Sequence, residues 1–149
     1  MAKKYKFKLE ALLKIRRIRE EQCKMEIGRI QIEMESVKKK INEQSSGISE
    51  AYELQERSLS DGATGLEARF YPYFVEAKRS HINQLDENLR ELKERSDKMY
   101  RVLAKFRSDV KLIEQMKDKD KISYKKMAEK KMYQEIEEQV QNWKQIVKT

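Results

Sequence analysis

Residues 60–65 read SDGATG, and this stretch decides the fold because it separates two long segments that carry a heptad repeat. Two of the four glycines in the chain lie within it. Glycine mixed with serine, threonine and aspartate favours a turn over a continuing helix. The sequence therefore predicts that the chain reverses direction at about residues 59–65.

The first heptad segment precedes this turn. Ten of its thirteen positions, taken alternately four and three residues apart, are apolar, whereas a hydrophobic content of 38% predicts about five. These positions, called the first seam, are Leu9, Leu13, Arg16, Glu20, Cys23, Ile27, Ile30, Met34, Val37, Ile41, Gln44, Ile48 and Ala51.

The second heptad segment follows the turn, and eleven of its thirteen positions are apolar. These positions, called the second seam, are Tyr71, Val75, Lys78, Ile82, Leu85, Leu89, Leu92, Ser96, Met99, Leu103, Phe106, Val110 and Ile113. A repeat of 3.5 residues sustained this long buries one narrow stripe against a partner helix. We therefore expect an all-α chain, a long two-helix antiparallel coiled-coil hairpin that forms a single domain over residues 1–149.

The expected helices are unequal in length. The first should cover about residues 7–58 and the second about 66–146, with a bend near Pro72. Thr64 and Glu67 have the spacing of a capping box at the start of the second helix. Because a proline inside a helix removes a hydrogen bond, two readings stay open: a short helix before Pro72 is kinked into the long one, or the long helix begins at Pro72.

Charge is distributed unevenly in a chain with 40% charged residues and a net charge of +8. Residues 1–20 carry eight bases and two acids, residues 117–131 carry seven bases and three acids, and residues 42–67 carry six acids and one base. A reversal near residue 62 brings the two basic segments together at the open end. Such an end either attracts an acidic protein, nucleic acid or anionic lipid, or only keeps the molecule soluble.

Several apolar residues lie off the seams. Phe70, Tyr71, Tyr73 and Phe74 are too many for one seam to bury, so some should be exposed, either as a docking patch or as packing around a bend. The first helix also carries an apolar stripe on its outer side, for which two interpretations are open. Either the seam shifts near Arg16 and Glu20, or the stripe is a surface that binds another helix. The stripe consists of Ala11, Ile15, Ile18, Met25 and Ile32.

The end of the second helix should extend past the first, since only residues up to about 117 can find an intramolecular partner. Apolar residues return there at a helical spacing, at Tyr133, Ile136, Val140, Trp143 and Val147. An unpaired amphipathic helix of this kind is either a recognition element or a frayed terminus.

Little in the sequence indicates chemistry. His81 is the only histidine, Cys23 falls on the first seam, and the glycines match neither phosphate-binding pattern. No apolar run is long enough for a signal peptide or a membrane span. We expect no enzyme, no catalytic residues, no metal and no cofactor, and a cytoplasmic location.

The run YKFKLEALLKIR at residues 5–16, the length near 150, the glycine-containing turn before residue 70, and Tyr71 and Phe74 resemble the flagellar export protein FliJ family. That family is the ATPase-associated stalk of the flagellar type III secretion apparatus, and the resemblance spans the whole chain. It implies a two-helix coiled coil whose paired termini enter the hexameric export ATPase, while a patch along the hairpin contacts the membrane export gate. It also implies a role in handling export chaperones and a position at the inner face of the cell membrane, at the flagellar base.

The resemblance also implies contact residues. The gate-contacting patch would comprise Ile48, Tyr52, Phe74, Lys78 and His81, although Lys78 and His81 depart from the small or apolar residues expected there. The ATPase-facing end would comprise Leu9, Leu12, Leu13, Ile15, Ile18, Met132, Ile136, Val140 and Trp143. The protein alone should be monomeric and should not bind nucleic acid. The alternatives are a self-assembling structural coiled coil and a basic nucleic-acid-binding coiled coil.

Overall fold

The structure is a computed structural model that describes residues 4–62 and 64–148. Helix α1 spans Glu10–Ser60 and helix α2 spans Gly65–Lys148, with lengths of 51 and 84 residues. The two helices pack against each other, and the described residues contain no strand. The second helix is therefore longer than the first, and the predicted helix boundaries differ from these by one to three residues.

The chain divides into two compact units, and each helix contributes to both. Unit 1 consists of Met1–Glu21 and Ala104–Thr149, and unit 2 consists of Gln22–Leu103. Within unit 1, Arg17 pairs with Glu114 and Glu10 pairs with Lys117. As the residue number rises along α1, the number of the partner residue on α2 therefore falls.

The same order of pairing holds in unit 2. The Arg95 guanidinium contacts Glu26, and the Arg79 guanidinium donates a hydrogen bond to the Tyr52 hydroxyl. The partner number on α2 again falls as the number on α1 rises.

Burial follows the two predicted seams. Every position of both seams is buried or half-buried. Conversely, all of the buried residues in the described part of the chain are seam residues: Leu13, Cys23, Ile27, Ile30, Ala51, Val75, Leu85, Leu92, Ser96, Leu103, Val110 and Ile113. The heptad pattern therefore identified the packed stripe of each helix correctly.

The polar seam residues explain why the stripe does not shift. Arg16 and Glu20 are both half-buried, and the Glu20 carboxylate lies 3.5 Å from the Arg107 guanidinium. Ile15 and Ile18 are instead 49% and 50% exposed. The interpretation that the seam rotates near Arg16 and Glu20 is therefore wrong, because an ion pair across the helices compensates for the polar side chain at Glu20.

The turn between the helices uses the glycine that the sequence indicated. Gly62 has a φ of 81°, a left-handed conformation that glycine adopts without steric cost. Its N–H donates to the carbonyl of Leu59 at 3.4 Å, which is one of the two hydrogen bonds of a common helix C-terminal motif. Gly62 thus ends α1 and redirects the chain.

Helix α2 begins before Pro72 and continues through it. Thr64 occupies the N-cap position, and its carbonyl accepts a hydrogen bond from the N–H of Ala68 at 3.1 Å. The other half of the predicted capping box, the Glu67 side chain, lies outside the described residues. The reading in which the long helix starts at Pro72 is wrong, since seven helical residues precede that proline.

Unit 1 contains a small core that residues before α1 help to cover. Leu13, Val110 and Ile113 are buried together, and Phe7 and Leu9 pack against them. Further out, the Tyr5 hydroxyl donates to the Asp120 carboxylate at 2.7 Å, and the Tyr5 ring lies 5.3 Å from the Tyr124 ring. The predicted limit of intramolecular pairing at about residue 117 is therefore wrong. The non-helical residues before α1 reach further, because extended chain advances about 3.3 Å per residue and helix only about 1.5 Å.

Over residues 4–62 and 64–148, neither helix has a stretch with the length and hydropathy needed to cross a membrane.

Candidate interaction surfaces

The first exposed apolar surface lies at the end of α2, in unit 1. Met132, Ile136, Val140 and Trp143 are each about half exposed or more. Their spacing of four, four and three residues places them on one side of the helix. We call these four residues the C-terminal face. All residues from 121 to 148 are exposed, so the C-terminal face is open to solvent along its whole length.

The N-terminal part of the expected ATPase surface is divided by burial. Leu12, Ile15 and Ile18 are exposed, as that role requires. Leu13 is fully buried and Leu9 is half-buried against the core of unit 1. Leu13 is therefore a packing residue and is removed from the candidate contacts, because its side chain has no exposed surface to offer a partner, whereas Leu9 keeps part of its surface.

Ion pairs neutralise part of the positive charge of unit 1. The Lys117 ammonium lies 2.7 Å from the Glu10 carboxylate, and the Arg17 guanidinium lies 2.9 Å from Glu114. The hydrogen bond from Lys117 lowers the pKa of the Glu10 carboxyl. Exposed bases remain on both segments of this unit: Lys6, Lys8, Lys14 and Arg19 on the N-terminal side, and Lys125, Lys126, Lys130 and Lys131 on α2.

Tyr5 holds the residues before α1 against the middle of this unit. Partial burial, reinforced by the hydrogen bond to Asp120 and its negative charge, raises the pKa of Tyr5 to about 12. The Lys121 ammonium also lies 6.0 Å from the centre of the Tyr5 ring. These contacts were missed in the sequence, where Tyr5 precedes the seam and no helical spacing connects it to Asp120.

The second exposed apolar surface belongs to unit 2 and lies near the start of α2. The Phe70 ring stacks on the Phe74 ring at 6.0 Å and meets the edge of Tyr71 at 5.6 Å. Phe70, Tyr73 and Phe74 are exposed. The prediction that part of this aromatic cluster is exposed is therefore confirmed.

Lys78 connects this cluster to α1. Its ammonium lies 4.8 Å from the centre of the Phe74 ring and donates to the Gln44 side-chain oxygen at 3.2 Å. A Cβ atom at Gly47 would lie 2.9 Å from the Lys78 Cε atom. Gly47 therefore leaves the space in which the lysine crosses α1, and the two polar seam positions, Gln44 and Lys78, satisfy each other. A glycine inside a predicted helix was the available signal for this close approach.

The expected gate patch is not one surface. Tyr52 accepts its hydrogen bond from Arg79 at 2.7 Å, whereas Phe74 contacts Phe70 and Lys78. Phe74 and Arg79 are five residues apart, which places them about 140° apart around α2. The structure thus brings Phe74 and Lys78 together and places Tyr52 beside a different side of the helix.

The two remaining gate candidates differ in access. Ile48 is a half-buried seam residue, so it contributes mainly to packing. His81 is exposed and follows Phe74 by seven residues, about two helical turns, which puts both on the same side of α2. We call Phe70, Phe74 and His81 the aromatic face.

Among the described residues, no group of three or more histidine, cysteine, aspartate or glutamate side chains could hold a metal ion. Comparisons of this chain with protein-family models, with curated proteins and with solved structures gave no match.

Proposed function

We propose that this protein is a non-enzymatic component of the flagellar type III export apparatus. In this role it is a stalk or adaptor that couples the hexameric export ATPase to the membrane export gate and helps to handle export chaperones. It works in the cytoplasm, attached peripherally to the inner face of the membrane at the flagellar base. The proposal starts from the resemblance of residues 5–16 and of the turn region to the FliJ family.

One observation carries the proposal further than the resemblance does. All buried residues of the described chain lie on the two seams, yet each unit keeps an apolar surface exposed. The seams are enough to hold two helices together, and we infer that they form an antiparallel coiled-coil hairpin. Exposed apolar surface beyond that need is typical of a protein that binds partners at more than one place.

The ATPase would be bound by unit 1. Leu12, Ile15 and Ile18 on α1 and the C-terminal face on α2 supply apolar contact area. The exposed lysines of residues 125–131 precede the C-terminal face along α2, and their positive charge would accelerate association with an acidic surface.

The gate would be bound by the aromatic face of unit 2. Aromatic side chains dominate the energy of many protein interfaces because they bury a large area with little loss of side-chain freedom. Phe70 and Phe74 are already held by stacking on each other, so less ordering is needed when a partner arrives. Tyr52 is engaged with Arg79 and is not required by this arrangement.

The first test measures hydrolysis of ATP by the cognate hexameric ATPase with and without the full chain. We expect stimulation that Ile136→Asp removes, because Ile136 lies in the middle of the C-terminal face. The matched control is Gln141→Asp, five residues away and about 140° around the helix, which should stimulate as the wild type does. Absence of both stimulation and co-purification would refute the coupling role.

The second test measures binding to the gate protein. Phe74→Ala should weaken it about tenfold, as loss of an aromatic contact at an interface centre does. Tyr52→Ala should leave binding unchanged, and circular dichroism should show equal helicity for both variants. If Tyr52→Ala alone weakens binding, the gate surface lies beside Arg79 instead; if neither does, the gate assignment is wrong.

A further inference from the structure

The residues that precede α1 leave the C-terminal face exposed. Tyr124, which contacts Tyr5, and Tyr133 are nine residues apart, and this spacing places them about 180° apart around α2. Tyr5 therefore packs on the side of α2 opposite to the one on which Tyr133 lies. An exposed helix of this length gains little stability from propensity alone, so an apolar stripe along it calls for a partner.

The stripe has a heptad spacing of its own. Its apolar positions, three and four residues apart, are Tyr133, Ile136, Val140, Trp143 and Val147, and Lys126 and Glu129 precede them in the same repeat. A groove on this side is lined by Lys126, Glu129, Lys130, Tyr133, Gln134 and Glu137. The stripe thus contains two charged residues at positions that a coiled coil would bury.

We propose that residues 126–147 pair with the same segment of a second copy of this chain, in the antiparallel direction. Coiled-coil geometry then sets Tyr133 beside Ile136 of the second copy and Lys126 beside Trp143 of the second copy. The Lys126 stem packs on the indole, and its ammonium gains a cation–π contact. Glu129 falls opposite Val140 of the second copy, and its side chain extends to the margin of the interface so that the carboxylate reaches water.

The parallel alternative is excluded by charge. Two parallel copies in register would set Lys126 against Lys126 and Glu129 against Glu129 within the stripe. Like charges brought together in a partly buried position are repelled and also lose hydration. The antiparallel arrangement separates both pairs.

Flanking charges favour the same arrangement. Antiparallel pairing brings Lys130 of each copy next to Glu137 of the other, so the two-fold symmetry produces this ion pair twice. Within one helix Lys130 and Glu137 are seven residues apart, about 10 Å along the axis, and do not pair. Neither has an oppositely charged residue three or four positions away in its own helix. Their complementarity is therefore intermolecular, which argues for a second copy over an unrelated partner.

This inference does not depend on the export proposal. A symmetric contact of this kind uses the same surface on both copies and closes at two, so it produces a dimer and no filament. The stripe shares Ile136, Val140 and Trp143 with the C-terminal face, which was assigned above to the ATPase, so the two associations would exclude each other. The expectation that the protein alone is monomeric would then apply only at protein concentrations below the dissociation constant of the dimer.

The test is sedimentation equilibrium on the full chain, with circular dichroism to verify helicity. We expect a mass rising with concentration from 17.9 kDa to twice that value and no further. Lys130→Glu and Glu137→Lys should each weaken the dimer about tenfold, because each replaces two attractions by two repulsions. The double variant K130E/E137K should restore it. The matched control is Lys131→Glu, the same charge change on the far side of the helix, which should dimerise as the wild type does.

Trp143, the only tryptophan in the chain, provides an independent readout. Its fluorescence emission should move to the red on dilution as the second copy leaves, and should do so at a higher concentration in Lys130→Glu. A mass of 17.9 kDa at millimolar concentration, growth beyond two copies, or a double variant as weak as the single ones would each overturn the proposal.

Discussion

Replacing Gly47 with alanine should stabilise the protein less than the same replacement at Gly28, although both glycines lie inside α1. Alanine in a helix interior is favoured over glycine by about 0.5–1 kcal/mol. A Cβ atom at Gly28 has nothing within 4 Å, so Gly28→Ala should raise the free energy of unfolding by that full amount.

At Gly47 the same gain is offset. The new Cβ atom would lie 2.9 Å from the Lys78 Cε atom and 3.1 Å from its Nζ atom, so the lysine must move. It would lose its hydrogen bond to Gln44 and its contact with the Phe74 ring, each contributing about 0.5 kcal/mol at a half-exposed position. The expected net change for Gly47→Ala is therefore close to zero.

The assay is urea unfolding followed by circular dichroism, in the wild type and in a Lys78→Ala background. Once Lys78 is absent, Gly47→Ala should stabilise as Gly28→Ala does, which corresponds to a coupling of about 1 kcal/mol in the double-mutant cycle. Equal effects at Gly28 and Gly47 in the wild-type background would show that Lys78 is not held across α1. The role assigned to Gly47 would then be wrong.

Three further predictions concern packing and pH. Ile30→Ala should lower the free energy of unfolding by about 2–4 kcal/mol, whereas Ile32→Ala, at a residue 73% exposed, should change it by less than about 0.5 kcal/mol. Similar losses for both variants in urea unfolding would contradict the assignment of Ile30 to the buried seam. The pKa of Glu10 is lower in the folded state than its ordinary value of 4.5, so the stability that ionised Glu10 contributes is present above pH 4.5 and is lost as the pH falls through the lowered folded-state pKa. Glu10→Gln should therefore reduce the dependence of the melting temperature on pH in acid. Because the pKa of Tyr5 is raised from 10.0 to about 12, its stabilisation is present below pH 10 and is lost as the pH rises through 12; an absorbance titration of Tyr5→Phe should lack the latest-ionising tyrosine.

The heptad pattern predicted the packing because it depends on a property local to each helix. A side chain every 3.5 residues returns to the same side, so Leu13 and Ile30 could be assigned to the core from spacing alone. The turn at Gly62 was equally local, since a left-handed backbone conformation favours glycine wherever it occurs. The exposure of aromatic residues near Phe74 could be predicted from their number, because one seam cannot bury four aromatic side chains.

Contacts between distant positions could not be predicted in the same way. The pairing of Tyr52 with Arg79, the path of Lys78 over Gly47 and the reach of Tyr5 to Tyr124 each depend on which residues face each other across two helices. Periodicity gives the side of each helix but not the axial register between them, and a shift of one residue changes every such pair.

For this protein the sequence by itself determined the two helices, the turn between them and the stripe that each buries, because those features depend on local backbone preference and on a repeat along one chain. Only the tertiary structure decided that Tyr5 reaches Asp120 and Tyr124 and that the aromatic face excludes Tyr52. It also decided that the residues before α1 pack on Tyr124 and leave the C-terminal face exposed. These depend on the alignment of one helix against the other, which ion pairs and close packing determine across the interface.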